Sequence, residues 1–260
     1  MIPMSAEKVT AATVRGWKGR QPVASLTAYD YPTTRLLDEA GVPLILVGDS
    51  LGMMALGYPD TTSVTMADMV HHVSAAARAK PRALLAADLP IGAYPSSVTA
   101  LANAQALVAA GAEAVKAEGG REICEQVRAI VEAGIPFIGH LGMLPQHVKE
   151  EGGYRIKGRT DAERVRLLAD AQALEDAGAF AIVLELVTPP VADEITRSIQ
   201  IPTIGIGSGP GCNGQILVIN DLVGTFPWFT PKFVKPKVQA YAQMQVAIRD
   251  WMADLQPGSL

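Results

Sequence analysis

The sequence predicts an α/β fold, specifically a (β/α)8 barrel, the TIM barrel in which parallel strands alternate with helices and close into a ring. Short apolar runs typical of buried strands recur along the chain, and amphipathic helix patterns lie between most of them. Repeated strand–helix–strand units imply parallel pairing with right-handed crossovers, and about eight of them favour closure into a barrel. A doubly wound sheet is the alternative, but no strand is followed by the GxGxxG pattern of a dinucleotide site.

The boundaries of the elements follow from local signals. Thr65 is a candidate N-cap with Asp68 three residues later, as in a capping box. Ala-Gly pairs at 40–41, 110–111, 133–134 and 177–178 are typical of helix ends that need a left-handed glycine. The predicted strands begin near Val23, Pro43, Arg82, Ala112, Pro136, Phe180, Pro202 and Gln215. We expect one barrel domain over 1–260, with a short N-terminal extension and a final helix over 231–255.

Composition limits the classes of protein. The chain has 260 residues, 49% of them hydrophobic, a net charge of −4 and no run of Lys or Arg, which argues against a nucleic-acid-binding protein. Its two cysteines, Cys124 and Cys212, form no metal-binding or disulfide pattern. No signal peptide or membrane-spanning stretch is recognisable. We therefore expect a soluble cytoplasmic protein with no membrane partner.

Acidic residues end several of the apolar runs. Asp49, Asp88, Glu118 and Glu185 each close a run that reads as a buried strand, and Lys116 lies two residues before Glu118. Taken singly, such an acid is often a helix cap or part of an ion pair. Together they indicate a shared polar site, because a buried carboxylate is costly unless it is paired or bound, and active sites of these barrels lie at the carboxyl ends of the strands.

Alternation of side chains along a strand predicts which residues face that site. The predicted inward faces are Ile45, Val47 and Asp49; Leu84, Ala86 and Asp88; Ala112, Ala114, Lys116 and Glu118; and Val183 and Glu185.

The residue types suggest a chemistry. Asp49 and Asp88, with no cysteine or histidine beside them, favour a hard cation such as Mg²⁺. A 2-oxo acid can occupy open positions of that ion through its carboxylate and keto oxygens, and the ion stabilises an enolate as a Lewis acid. Lys116 adds positive charge there, and Glu185, with a pKa raised by burial, is a candidate base.

Three other features have two readings each. His140 ends the fifth predicted strand and is either structural or part of the site. The polar stretch 144–159 is either an active-site lid or an ordinary surface loop. The segment GIGSGPGCNGQ is either a phosphate-binding loop or a tight turn.

An ordered series of motifs resembles the ketopantoate hydroxymethyltransferase family over nearly the whole chain. The motifs are TAYD at 27–30, VGDSLGM at 47–53, DLP at 88–90, EGG at 118–120, GHLG at 139–142, GGY at 152–154 and GIGSGPGC. The resemblance implies a (β/α)8 barrel of the phosphoenolpyruvate/pyruvate group. It implies transfer of a hydroxymethyl group from 5,10-methylenetetrahydrofolate to 3-methyl-2-oxobutanoate, giving 2-dehydropantoate for pantothenate biosynthesis, and a homo-oligomer, often a decamer.

The resemblance also assigns roles. It implies that Asp49, Asp88 and Glu118 bind Mg²⁺, Glu118 directly or through water. It further implies that Asp49, Ser50, Asp88 and Lys116 contact the 2-oxo acid, and that Glu185 accepts the proton.

Two positions depart from the family pattern, and two other functions stay open. Ala117 replaces the usual Leu, on the face that we expect to point away from the mouth. Asn213 replaces the usual Asp, which removes a charge that we expect near the mouth. The alternative functions are a related metal-dependent C–C lyase or mutase acting on another 2-oxo acid, and a non-catalytic barrel.

Overall fold

The computed structural model describes residues 7–255 and shows the predicted closed barrel. Eight parallel strands pair in chain order around the ring. Each begins within two residues of its predicted start. The strands are β1 Val23–Thr27, β2 Leu44–Val47, β3 Leu84–Asp88, β4 Ala114–Glu118, β5 Phe137–Gly142, β6 Ala181–Glu185, β7 Thr203–Ile206 and β8 Gly214–Leu217.

The helices follow the strands as the apolar patterns predict. Thr65 and Asp68 form the predicted capping box, and the glycine of every predicted Ala-Gly helix end has a positive φ. The described α-helices are α1 Ala11–Gly16, α2 Tyr31–Glu39, α3 Leu51–Met54, α4 Met66–Ala77, α5 Ser97–Ala109, α6 Cys124–Glu132, α7 Asp161–Asp176, α8 Pro189–Ser198, α9 Ile219–Val223 and α10 Ala240–Asp254. The final helix begins at Ala240 and not at 231, because Pro231 and Pro236 interrupt the segment before it.

The interior of the barrel is filled by one apolar cluster to which all eight strands contribute. Leu84 and Ala86 of β3, Ala114 of β4 and Val183 of β6 belong to it, which confirms the predicted inward faces of those strands. The prediction for β2 was wrong. Leu44 and Leu46 fill the interior, so Ile45 and Val47 lie on the outer face.

The segment before β1 closes the bottom of the barrel, at the amino ends of the strands. Val14 of α1 is fully buried and belongs to the interior cluster, with Trp17 packed against it. Ahead of this helix, the Lys8 ammonium donates to the carbonyls of Pro81 and Ala83. Residues 8–17 therefore cover this end of the barrel, which leaves the opposite end as the place for a substrate.

The chain divides into two compact units with the boundary between Ile216 and Leu217. The first unit contains α1 to α8 and the barrel strands up to Ile216, the third residue of β8, and the second contains α9 and α10. One domain over 1–260 stays a prediction. Within residues 7–255, no helix combines the length and the apolar character needed to cross a membrane.

Candidate active site

Asp49 reaches the mouth of the barrel through a turn and not through strand alternation. β2 ends at Val47, and the chain turns at Gly48 so that the N–H of Leu51 bonds to the Gly48 carbonyl at 3.0 Å. A Cβ on Gly48 would lie 3.0 Å from Ser50 Oγ and 3.4 Å from Asp88 Oδ2. Glycine therefore lets the acid and the serine approach Asp88, although the predicted face of β2 was wrong.

Asp88 and Lys116 are neighbours because β3 and β4 pair with these two residues in register. Lys116 Nζ lies 2.8 Å from Asp88 Oδ1, and both side chains are buried. The other oxygen, Asp88 Oδ2, accepts the backbone N–H of Asp49 at 3.0 Å. These contacts bring Asp49, Asp88 and Lys116 together as the sequence predicts.

His140 joins the two glutamates of the site. It pairs in register with Glu118, and its Nδ1 lies 3.6 Å from Glu118 Oε1. Its Nε2 lies 3.4 Å from Glu185 Oε2, while Lys116 Nζ is 3.3 Å from Nδ1. The structure therefore places His140 among the predicted site residues.

Burial and mutual repulsion raise the pKa values of Asp49 and Glu118. Burial, followed by the charge of Asp88, raises the pKa of Asp49 to about 7. Burial, followed by the charge of Asp49, raises the pKa of Glu118 well above its usual range. The site therefore contains more carboxylate than its one lysine neutralises, and an added cation would relieve this repulsion.

Glu185 has the properties of a base near neutral pH. Burial raises its pKa to about 8, although Lys116 opposes the shift. Its side chain is 14% exposed, against 1% for Glu118, so the mouth gives access to it. Burial and then the positive charge of Lys116 lower the pKa of His140 well below its usual value, which favours the uncharged imidazole. Burial alone would lower the pKa of Lys116, but Asp88 and the other acids outweigh it and raise that pKa.

Ser50 is held in place by side chains at the end of β1. Its Oγ lies 2.8 Å from the hydroxyl of Tyr29, and Thr27 Oγ1 donates to that hydroxyl at 2.9 Å. The serine is half-buried at the turn after Asp49. A hydroxyl fixed in this way can hydrogen-bond a carboxylate or keto oxygen of a ligand.

Gln146 connects most of the site, although the sequence does not predict it. It belongs to the 144–159 loop, yet it is 2% exposed. Its Nε2 donates to Asp49 Oδ2 at 2.8 Å and to the Leu89 carbonyl at 3.0 Å. Its backbone N–H donates to Glu118 Oε2 at 3.0 Å, and the Tyr94 hydroxyl donates to its Oε1 at 2.6 Å. No hydrophobic pattern marks this glutamine, because the stretch around it reads as a polar loop.

The glycine-rich segment after β7 contains a turn that supports Glu185. Ser208 is buried, and its Oγ donates to the Leu184 carbonyl at 2.7 Å and accepts the Val187 N–H at 3.0 Å. These bonds fix the backbone on both sides of Glu185.

Asn213 does not lie near the mouth, so that expectation was wrong. It precedes β8, and its carbonyl accepts the N–H of Val23, the first residue of β1. Its Oδ1 accepts from Lys18 Nζ at 2.9 Å and from the N–H of Thr203, the first residue of β7, at 3.2 Å. The residue is therefore at the bottom of the barrel, because it comes before its strand and not after it.

The donor set fits a hard cation with few protein ligands. Among residues 7–255, no three Asp, Glu, His or Cys side chains are grouped closely enough to enclose an ion by themselves. Mg²⁺ is usually bound through one or two carboxylates and keeps its other positions for water and substrate. Asp49 and Asp88 could supply that pair, with Glu118 reaching the ion through water.

The fold and the site together define a class, the (β/α)8-barrel enzymes that place acids and a lysine at the carboxyl ends of their strands. Solved structures agree on the fold. Phosphonopyruvate hydrolase superposes with a TM-score of 0.64 at 17% identity, covering 96% of this chain and 99% of its own. Phosphoenolpyruvate phosphomutase from Streptomyces platensis superposes with a TM-score of 0.64 at 16% identity, covering 96% of this chain and 88% of its own.

Sequence comparison identifies the family within this class. The family model described as ketopantoate hydroxymethyltransferase matches residues 8–260. The 3-methyl-2-oxobutanoate hydroxymethyltransferase of Ignicoccus hospitalis is 50% identical over 97% of this chain and 96% of its own. The 3-methyl-2-oxobutanoate hydroxymethyltransferase of Aeropyrum pernix is 51% identical over 98% of this chain and 93% of its own. The chain belongs to the ketopantoate hydroxymethyltransferase family and is a hydroxymethyltransferase of pantothenate biosynthesis.

Proposed function

We propose that this enzyme forms the enolate of 3-methyl-2-oxobutanoate at the barrel mouth and adds to it a one-carbon unit from 5,10-methylenetetrahydrofolate. The observation that carries the proposal is the position of Glu185 relative to the other charged groups. The pKa of its carboxyl group is raised to about 8, and it lies on the far side of His140 from Lys116 and Asp88. Asp49 lies beside Asp88. The family membership supports the folate co-substrate.

Asp49 and Asp88 would hold Mg²⁺, with Glu118 nearby as a direct or water-bridged ligand. When bound, this ion supplies Lewis-acid stabilisation of negative charge on the keto oxygen of the substrate. The raised pKa of Asp49 supports a cation here, because Asp49 and Asp88 repel each other when both are ionised.

Glu185 takes the proton from C3 of the 2-oxo acid. Its carboxylate is deprotonated in the active state, and its raised pKa makes it a stronger base than an exposed glutamate. The Lys116 ammonium stabilises the negative charge that develops on the oxygen side of the substrate. The Ser50 hydroxyl, held by Tyr29, orients the 2-oxo acid through a hydrogen bond.

The proposed reaction breaks a C–H bond of the 2-oxo acid and transfers the methylene carbon of the folate to it. One C–H bond breaks at C3 and its proton goes to Glu185, while one C–C bond forms between C3 and the transferred carbon. The two C–N bonds that join the methylene carbon to N5 and N10 of the folate break, and one water provides the oxygen of the new hydroxyl group. The proton from C3, released by Glu185, and one proton of that water go to the two folate nitrogens, so tetrahydrofolate and 2-dehydropantoate leave and Glu185 returns to its carboxylate form. We expect the enzyme to act as a homo-oligomer, as the family resemblance implies.

Proton-exchange NMR on 3-methyl-2-oxobutanoate in D₂O, before any folate is added, tests the proposal. We expect the C3 proton signal to disappear with enzyme and Mg²⁺, and to persist with enzyme and a chelator. A folded, metal-loaded enzyme that leaves the C3 proton in place would refute enolisation of this substrate.

A further inference from the structure

We propose that Gln146 is a positioning residue for the metal site, which it builds by fixing the orientation of Asp49 and Glu118. This inference rests on the metal site of the proposed function. It adds Gln146, a residue of the 144–159 loop, which supplies none of the proposed Mg²⁺ ligands.

The contacts of Gln146 reach the carboxyl ends of three neighbouring strands. Gln146 lies in the loop after β5, whereas Asp49 follows β2, Leu89 follows β3 and Glu118 ends β4. One residue therefore donates hydrogen bonds to all three strand ends, two from its side-chain amide and one from its backbone. A carboxylate that is held through one oxygen keeps the other oxygen for a cation, in a direction that is set in advance.

The orientation of the amide is determined by its partners. Both amide hydrogens are used, on Asp49 Oδ2 and on the Leu89 carbonyl, and the carbonyl oxygen accepts from the Tyr94 hydroxyl. A flipped amide would direct Oε1 at the carboxylate and at the Leu89 carbonyl, where both atoms are acceptors. The network therefore selects one arrangement.

Tyr94 is itself anchored from behind. The backbone carbonyl of Tyr94 accepts from Gln126 Nε2 at 3.3 Å, and that of Ala93 accepts from Asn103 Nδ2 at 2.6 Å. Gln126 belongs to α6 and Asn103 to α5, so two helices of the outer ring hold the loop that places the tyrosine. The positioning of Asp49 is thus supported by the rigid scaffold through two layers of hydrogen bonds.

Replacement of Gln146 by methionine separates this role from packing. Methionine has a similar length and no donor, so Gln146→Met removes the bonds to Asp49 and Leu89. The backbone N–H stays in place, so Glu118 keeps its donor and the variant isolates the effect on Asp49. Gln172→Met is the matched control, because this exposed amide on α7 also donates to two carboxylates, those of Glu175 and Asp176.

The first readout is Mg²⁺ binding by calorimetry without substrate. Loss of a side chain that orients a metal ligand typically weakens metal affinity by about 10–100-fold, and we expect this for Gln146→Met, with no change for Gln172→Met. We expect Tyr94→Phe to weaken binding several-fold, and by less when it is combined with Gln146→Met, because Tyr94 acts largely through Gln146.

The second readout is the Mg²⁺ dependence of C3-proton exchange. Gln146→Met should need more Mg²⁺ for half-maximal exchange and should approach the wild-type rate at saturating Mg²⁺, a rescue that general damage to the fold would not allow. Should Gln146→Met fail to fold, Tyr94→Phe decides the matter, since it removes one hydroxyl group only.

Each result has a definite meaning. If the wild type binds Mg²⁺ and both Gln146→Met and Tyr94→Phe bind it equally well, the positioning role is refuted while the proposed function stands. If the wild-type protein binds no Mg²⁺, the metal site of the proposed function fails, and the role of Gln146 fails with it.

Discussion

At the scale of single residues, the environment of each acid decides its task. Asp49 and Asp88 are buried beside each other and suit a cation, whereas Glu185 stands apart from that pair and remains accessible from the mouth. His140 lies between Lys116 and Glu185, and its lowered pKa favours the uncharged imidazole. Neutral imidazole that accepts from Lys116 at Nδ1 carries its hydrogen at Nε2, facing Glu185.

Replacement of Glu185, the proposed base, should stop enolisation without preventing substrate binding. Glu185→Gln keeps the shape of the side chain but cannot accept the C3 proton, so we expect the exchange rate to fall by about 10²–10⁴-fold. Binding of 3-methyl-2-oxobutanoate, measured by calorimetry with Mg²⁺, should change by only a few-fold. Glu163→Gln, in the first turn of α7, is the control, because this half-buried carboxylate accepts the Arg159 N–H and touches none of the site residues. Exchange at the wild-type rate in Glu185→Gln would remove Glu185 from the base role.

The pH dependence of exchange should report the pKa of Glu185. Only the carboxylate accepts a proton, so the rate should rise with pH and level off above the pKa, which is about 8 in the metal-free protein. A bound cation favours the charged form, so the midpoint with saturating Mg²⁺ should lie below that value. The rate is measured by NMR from pH 5 to pH 9. A rate that falls as the pH rises through this range would contradict the assignment.

At the scale of elements, register and turns bring the site together. Pairing of Asp88 with Lys116 and of Glu118 with His140 follows from the register of neighbouring strands, which in turn follows from their apolar faces. These parts of the site could be predicted from the sequence by combining alternation with the expected barrel. Alternation of side chains along β5 also places His140 on the inner face, since it lies two residues after the interior residue Ile138.

The parts that could not be predicted depend on irregular backbone. The position of Asp49 depends on the turn at Gly48 after β2 has ended, so extending the strand pattern gave the wrong inward face for Ile45 and Val47. Gln146 lies in a loop whose path is set by tertiary contacts and not by periodicity. Asn213 was expected near the mouth, but it directly precedes β8, which begins at Gly214, and therefore lies at the amino ends of the strands.

The turn at the end of β5 provides a test at this scale. Gly142 has φ 101°, and a Cβ there would lie 2.1 Å from the Glu185 carbonyl oxygen. Gly142→Ala should therefore lower stability by about 2–4 kcal/mol, from the left-handed backbone and the clash together. It should also slow C3-proton exchange, since the backbone of Glu185 must shift.

Gly134→Ala is the matched control, because φ is 82° and the Cβ would meet nothing within 4 Å. It should lower stability by about 1–2 kcal/mol, measured by urea unfolding, and leave exchange unchanged. Equal effects of the two substitutions on exchange would show that Gly142 has no specific influence on Glu185.

At the scale of the whole molecule, the site lowers the stability of the metal-free fold. The pKa of Asp49 is raised to about 7 in the folded state, above that of an unfolded aspartate near 4. An acid with a raised pKa favours the folded state at low pH, and this contribution is lost as the pH rises from about 4 through about 7. The free energy of unfolding contributed by this group therefore falls over that range.

Asp49→Asn should reveal this cost. Without divalent cations, we expect the variant and the wild type to be similar at pH 5, and the variant to be more stable at pH 8 by a few kcal/mol at most, on the order of the linkage from this shift. Thermal unfolding at both pH values measures the difference, and Mg²⁺ at pH 8 should stabilise the wild type only. A variant whose advantage shrinks as the pH rises would contradict the linkage.

The closure of the barrel between β1 and β8 has a consequence for biosynthesis. The N–H of Val23 bonds to the carbonyl of Asn213, and Gly214 lies so close that a Cβ would be 2.1 Å from the Val23 carbonyl oxygen. The ribosome makes β1 first and β8 last, so one edge of β1 stays unpaired until β8 has been synthesised. A nascent chain that stalls before Gly214 presents an open, unpaired edge, which is the kind of surface that chaperones bind and that aggregates grow from.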